Sequence, residues 1–468
     1  MNHREIANEC LARGQLHEAI AHYRRARDEA PRDVRVLIGL GFALAELDES
    51  AEATQIIEQA LHIDPACADG HYILGQIADR SGRGTDAVRH YEAAVRSDRG
   101  AEDAYRGLLR LLVDSDPIRA RQFAQMATQS HPEAPEFWFY LGLAQEKTGD
   151  DTGALASYRR TCELEPGAHV AHINAGTILM RTGRYRESLP HLLAAARLVP
   201  DNQDVHVKIG IVETRLGRPD AAIDSYRRAL AIAPHDVVSH ILASLTGETP
   251  NRAPDAYVAQ LFDEYAATFD DHLVGKLKYE TPKQIRALLD DRLDSSRRHA
   301  VLDLGCGTGL MGVELAQLAS RMVGVDLSAK MLEMARAKGL YGRLEQCDLA
   351  EMMAGEPAGS YDLIVAADVF VYVGKLDLLY EHAFRLLRPG GLFAFSVEAA
   401  PPREGSDTPD DGIGYRLHER QRYVHERSYL ERLGRATGFA LVDIRAAFCR
   451  EDGGKPVSAH LALFRRPA

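Results

Sequence analysis

The chain has no apolar run long enough to cross a bilayer, and its start, MNHREIANECLARG, lacks the apolar stretch of a signal peptide. Both absences predict a cytoplasmic protein with no membrane attachment. Basic residues are outnumbered, 56 Lys and Arg against 68 Asp and Glu, for a formal charge of −12. A surface of that sign argues against a nucleic-acid or anionic-membrane binder. Cysteine is sparse: Cys10, Cys67, Cys162, Cys306, Cys347 and Cys449 form no CxxC pair and show no metal-ligand spacing. That scatter predicts reduced thiols and points to no metal site. With 468 residues, 46% of them apolar and 26% charged, the chain is too long for one ordinary core and should hold two or three soluble domains.

What is present first is a repeat. Pro31, Pro65, Pro166, Pro200 and Pro234 recur at about 34 residues or its multiples, and Pro132 joins them after a one-residue slip. Small residues recur within the period at Gly41, Gly75, Gly142, Gly176 and Gly210, and at Ala53, Ala87, Ala154 and Ala222. Larger ones follow at Tyr23, Ile57, Tyr91, Tyr158, Leu192 and Tyr226. Each helix pair of such a unit leaves an apolar face that only the next pair covers, so the period predicts an all-α solenoid. The pattern resembles the tetratricopeptide repeat over residues 1–236, in about seven repeats, the one near Ala101 to Ala134 being the most degenerate. The resemblance implies a groove for a protein or peptide partner; a structural spacer or dimerisation arm is the alternative. Ile38, Phe42, Tyr72, Phe139, Leu143, Ile173, Val207 and Ile211 predict an apolar groove, and the asparagine ladder of peptide-backbone binders is absent. Residues 237–254 read as a capping helix and a linker broken by Gly247, Pro250 and Pro254.

The most informative stretch lies beyond it. In VLDLGCGTGL, Val301 to Leu310, a short apolar strand runs into a turn carrying Gly305, Gly307 and Gly309 and then into a helical pattern. A second apolar run ends in Asp326, about twenty residues on, where a βαβ unit places an acid for two ribose hydroxyls. The glycines are spaced GxGxG, not GxGxxG, and Asp303 precedes them, which suits a cationic ligand better than a pyrophosphate.

These residues resemble the first motif of class I S-adenosylmethionine-dependent methyltransferases. The resemblance implies a Rossmann-like α/β domain over 255–468, with a seven-stranded, mostly parallel sheet closed by a C-terminal antiparallel hairpin. It implies S-adenosylmethionine as cofactor, held by Asp303, Gly305, Gly307, Gly309, Asp326 and Leu327, with Asp348 and Leu349 at the adenine and Asp368 near the methyl group. Asp348 alone reads equally well as a helix N-cap, and Asp368 as a solvated loop acid. Cys306 and Cys347 read as small buried residues.

In the stripe YVAQLFDEYAATF, the same resemblance makes Tyr265 and Phe269 candidates for a cover over the cofactor, and Tyr279 and Pro282 for the pocket edge. Core packing of the helix on the sheet is the alternative. In YRLHERQRYVH, Arg422, Tyr423 and His425 are candidates to orient a substrate or take a proton, against a charged surface turn. FDEYAATFDDHLVGKLKYETP and RYVHERSYL are closest to bacterial methyltransferases that carry tetratricopeptide repeats on their N-terminal side. No Asp/Asn-Pro-Pro-aromatic run follows Val365, which lowers the odds for nucleobase or amide substrates.

The expected function is methyl transfer with the repeats recruiting a protein substrate or partner. A small-molecule methyltransferase with a localising arm, or a non-catalytic cofactor-binding scaffold, are the alternatives. The acceptor atom, the catalytic base and the oligomeric state are not legible.

Overall fold

The computed structural model describes residues 2–266, 269, 279–290, 292–294, 296–401, 412–418, 420–452 and 455–468. They form two compact units, Met1–Arg218 and Pro219–Ala468. The first is built of helices in successive pairs: α1 (His3–Ala12) with α2 (Leu16–Glu29), α3 (Val34–Glu46) with α4 (Ser50–Ile63), and α5 (Ala68–Arg80) with α6 (Gly84–Ser97). Then come α7 (Glu102–Ser115) with α8 (Pro117–Ser130), α9 (Pro135–Lys147) with α10 (Asp151–Leu164), α11 (His169–Arg181) with α12 (Tyr185–Leu198), and α13 (Gln203–Arg215).

The small residues of the repeat do the pairing. A Cβ on Gly75 would stand 2.6 Å from the Tyr91 ring, and one on Gly142 2.7 Å from the Tyr158 ring, so the two helices of each pair approach only because the side chain is missing. Gly176 meets Leu192 in the same way. The one-residue slip has a local cause. Elsewhere a turn of three residues joins the helices of a pair, but Asp116 alone separates α7 from α8, while α7 has 14 residues where α3, α5, α9 and α11 have 13, for a net loss of one; Asp116 ends α7 and caps α8 through Arg119 N–H, with Pro117 at the first helical position. All eight expected groove residues are half-buried, as positions on a partly open face should be.

The second unit begins with α14 (Pro219–Ile232) and α15 (Asp236–Thr246), so its boundary at Arg218/Pro219 stands one helix before residue 236. α16 (Asp255–Tyr265) and α17 (Thr281–Leu289) follow, then β1 (His299–Leu304), α18 (Leu310–Leu315), β2 (Ala319–Asp326), α19 (Ala329–Ala337) and β3 (Arg343–Gln346). The remainder is α20 (Leu349–Gly355), β4 (Tyr361–Ala366), α21 (Asp377–Leu386), β5 (Leu387–Ala399), β6 (Tyr415–Leu417), β7 (Tyr423–His425), α22 (Arg427–Thr437), β8 (Ala440–Asp452) and β9 (Lys455–Arg465).

Strands β3, β2, β1, β4 and β5 are parallel, and β9 closes the sheet antiparallel to β5 with β8 outside it. Alternate residues of β1 enter opposite cores. Leu302 and Leu304 pack with Met353, Tyr380 and Leu430, while Val301 packs with Ile285, Leu288 and Met311. Both faces of the sheet are therefore covered, as a parallel sheet requires.

Among the described residues the sheet has nine strands where the sequence predicts seven. The surplus is the β6–β7 hairpin, whose β7 runs parallel to the end of β5 through Glu398↔Val424 and Ala399↔His425. Its strands have three residues each, too short for a period of two to show. The GG turn between β8 and β9 lies outside the described residues, as does most of 267–278 within the stretch FDEYAATFDDHLVGKLKYETP.

Helix α15 packs on the sheet end. Ala243 shares a core with Ala253, Val371, Tyr372, Leu417 and Tyr423, and the His240 ring lies 5.5 Å from Tyr257 and 6.0 Å from Tyr423.

Candidate functional site

At the carboxyl ends of β1 and β2 the chain turns through Gly305, Gly307 and Gly309, all at positive φ. A Cβ on Gly305 would overlap the Val369 side chain, whereas one on Gly307 would meet nothing nearer than Phe269 at 4.0 Å. The first glycine is thus needed for packing, and the second leaves backbone open to a ligand. Asp326 closes the loop. Its Oδ2 accepts the Gly307 N–H at 2.9 Å and its Oδ1 the Ser328 N–H at 2.9 Å, which leaves further lone pairs for hydroxyl donors. Burial raises its pKa, and the bonds from Ser328, Gly307 and Leu327 oppose the shift.

A cavity of about 1030 Å³, part of it open to solvent, lies over this loop. Gly305, Gly307, Asp326, Leu327, Asp348, Leu349 and Asp368 line it, with Phe269, Tyr279 and Arg422. Asp348 caps α20: its Oδ1 accepts from Ala350 N–H and Glu351 N–H, and its Oδ2 accepts from Arg252 at 2.7 Å. Arg252 belongs to the connector, which is laid down as an edge. Ala253 N–H donates to Tyr372 O at 2.9 Å, and Gly374 N–H to Asn251 O at 2.9 Å. Helix α16 adds Asp255, Val258 and Phe262 to the wall, and its Asp263 accepts the hydroxyl of Ser328, the cap of α19.

Sequence reading missed the most buried arginine among the described residues. Arg450, on β8, is 4% exposed and donates to both Asp368 and Glu398. Burial alone would lower its pKa, but the two carboxylates more than offset this and the guanidinium stays charged. Asp368 stands just past β4 at φ 60°, a region non-glycine residues rarely occupy, and its buried Oδ1 has no partner among the described residues. The hint was one arginine ending an apolar strand, AAFCR.

Other sequence-predicted residues lie elsewhere. His425 is fully buried and its Nε2 donates to Gly374 O at 3.0 Å; burial pushes its pKa down to about 4, so it is a neutral packing residue outside the cavity wall. Tyr423 is likewise buried in the core that receives α15 and does not line the cavity. Both are turned inward by the pairing of β7 with β5. Tyr265, 47% exposed, is also outside the wall. Gly309 caps α18 and does not line the cavity. Asp303, 1% exposed, sits behind the loop, where its Oδ2 accepts the Tyr341 hydroxyl at 2.6 Å and its Oδ1 has no partner among the described residues. Burial pushes its pKa up to about 7. Burial raises both the Cys306 and the Cys347 thiols, which keeps them protonated.

Residues 301–391 match the family model described as "Methyltransferase domain", and residues 11–77, 111–169 and 173–237 match models of the tetratricopeptide repeat. A ubiquinone biosynthesis O-methyltransferase of Bordetella avium is 28% identical over 135 residues, 28% of this chain and 53% of that protein. Human methyltransferase-like protein 27 is 33% identical over 147 residues, 31% of this chain and 59% of that protein. The chain therefore spans a little over half the length of these two curated relatives. Among solved structures, an S-adenosylmethionine dependent methyltransferase from Mesorhizobium loti is 27% identical, with a TM-score of 0.31, covering 38% of this chain and 96% of that one. The chain joins tetratricopeptide repeats in its first half to a methyltransferase domain in its second.

Proposed function

We propose that the second unit binds S-adenosylmethionine in this cavity and transfers its methyl group to an acceptor, and that the repeats recruit a protein substrate or partner. The observation that carries this reading is Asp326, fixed by the N–H groups of Gly307 and Ser328 with acceptor capacity left over at the cavity. The surrounding residues fit the cofactor. Open backbone at Gly307 admits close approach, and Leu327 and Leu349 offer apolar edges to a base ring.

When bound, S-adenosylmethionine supplies a methyl carbon activated by a positively charged sulfur. The chain's own task is alignment. Phe262, Phe269, Tyr279 and Tyr372 give an aromatic wall that excludes water, and Tyr279 donates to Ala367 O at 3.5 Å. Asp368, with one oxygen held by Arg450, has Oδ1 left to accept a hydrogen from the acceptor's nucleophile.

The same aromatic wall favours a second reading, a small apolar acceptor such as the relatives named as O-methyltransferases suggest, with the repeats as a localising arm. Transfer of labelled methyl from S-adenosylmethionine into a lysate, resolved into protein and small-molecule pools, separates the two. Label in protein supports recruitment by the repeats, and label only in small molecules supports the second reading. No label above an Asp326→Ala control would leave a cofactor-binding scaffold.

A further inference from the structure

Histidines recur in the array at one phase of the repeat. His3 and His22, His71 and His90, and His172 and His191 are each 19 residues apart, and each pair brings two Nδ1 atoms together, at 3.1, 3.4 and 3.2 Å. The fold explains the pairing. The first histidine sits on the leading helix of a repeat and the second on the trailing one, with rings facing each other across the pair at centroid distances of 5.3 to 5.7 Å.

A backbone carbonyl sets the orientation. His71 Nε2 lies 3.1 Å from Pro65 O and His206 Nε2 2.8 Å from Pro200 O, and Pro166 stands before His172 at the same phase. A carbonyl only accepts, so in His71 and His206 that ring nitrogen carries the proton and the lone pair of the neutral ring is left on Nδ1. This is the outer-shell bond that fixes metal-binding imidazoles.

Among the described residues, only the third pair has a third ligand. Cys162, near the end of α10, brings its thiol so that Sγ and one nitrogen each of His172 and His191 all lie within 4.8 Å of one another. Ten residues before His71, where the cysteine would stand, the chain has Leu61, packed in its repeat's core. We propose that Cys162, His172 and His191 bind a zinc-like transition-metal ion that fastens α10 of one repeat to α11 and α12 of the next.

A tetrahedral Zn²⁺ with these donors holds its ligand atoms roughly 3.3 to 3.6 Å apart, so the two Nδ1 atoms at 3.2 Å stand near that spacing, and the thiol, within 4.8 Å, has to close the remainder. Two imidazoles and a thiolate select a borderline-soft ion over Mg²⁺ or Ca²⁺, and three protein ligands at a half-buried place leave a fourth position for water. On binding, the thiol gives up its proton to solvent and coordinates as the thiolate. The spacing C-x9-H-x18-H resembles no compact metal motif; the repeat itself brings the three together.

The test uses the full chain, reduced and stripped of metal by a chelator. Co²⁺ is the optical probe, and Zn²⁺ affinity is read by competition with a chromogenic chelator. One ion per chain with a thiolate-to-cobalt band in the near ultraviolet is expected. Cys162→Ser should abolish the band and weaken Zn²⁺ binding at least about tenfold, and His191→Gln should do the same. His90→Asn should change neither. Metal-free thermal melts of each variant check that the array is intact, and either of the first two variants suffices alone. No binding, binding without the band, or equal affinity in Cys162→Ser and the unaltered chain would overturn the proposal.

Discussion

Asp303 and Asp326 end neighbouring strands, and their surroundings set them apart. Asp326 takes two backbone N–H bonds, while among the described residues Asp303 has one partner, Tyr341, and one bare oxygen. An unfolded aspartate titrates near 4 and Asp303 near 7, so between these values the folded chain holds the extra proton. Its contribution to stability is whole below the lower value and falls as pH rises towards the upper. Denaturation across that range without cofactor should show this slope, a few kcal/mol at most, and Asp303→Asn should flatten it. Asp326→Ala should weaken S-adenosylmethionine binding by roughly 1 to 3 kcal/mol. Unchanged affinity in calorimetry would remove Asp326 from the ribose site. The glycine loop and Asp326 were legible because a βαβ unit keeps them within about twenty residues. Arg450 was not, since its partner Asp368 is 82 residues away and nothing local marks the pair.

Between elements, the repeat depends on absent side chains. Gly142→Ala would gain about 1 kcal/mol of helix propensity. It would also force aside the Tyr158 ring, whose hydroxyl is tied to Glu146 at 2.9 Å. Overpacking of this kind costs about 1 to 3 kcal/mol, so a net loss is expected, read as a lower urea midpoint. In the sheet, Arg450→Met leaves the half-buried Asp368 without its cation and Glu398 with Arg422 at 3.5 Å, and should cost about 3 kcal/mol, read as a lower midpoint in the same measurement. The helices were readable because their period runs over many residues. The β6–β7 hairpin escaped notice because its pairing is decided by the end of β5 and not by its own pattern.

For the whole molecule, the division at Arg218/Pro219 sets where the chain can be cut. A fragment of residues 219–468 keeps α15 on the core formed by Ala253, Tyr372 and Tyr423, whereas one starting at 255 loses Ala243 and Ala253 from that core. The longer fragment should melt in one transition and the shorter at least several degrees lower; equal melting temperatures would show that α15 adds nothing. The placement of the connector has another consequence. Its backbone bonds to Tyr372 and Gly374 and the reach of Arg252 to Asp348 make the joint part of the pocket rim. Inserting residues between Asn251 and Ala253 would shift the rim out of register, so this joint is a poor seam for exchanging one methyltransferase domain for another. Recombination that preserved a working pocket would have to carry the strap along with the catalytic half.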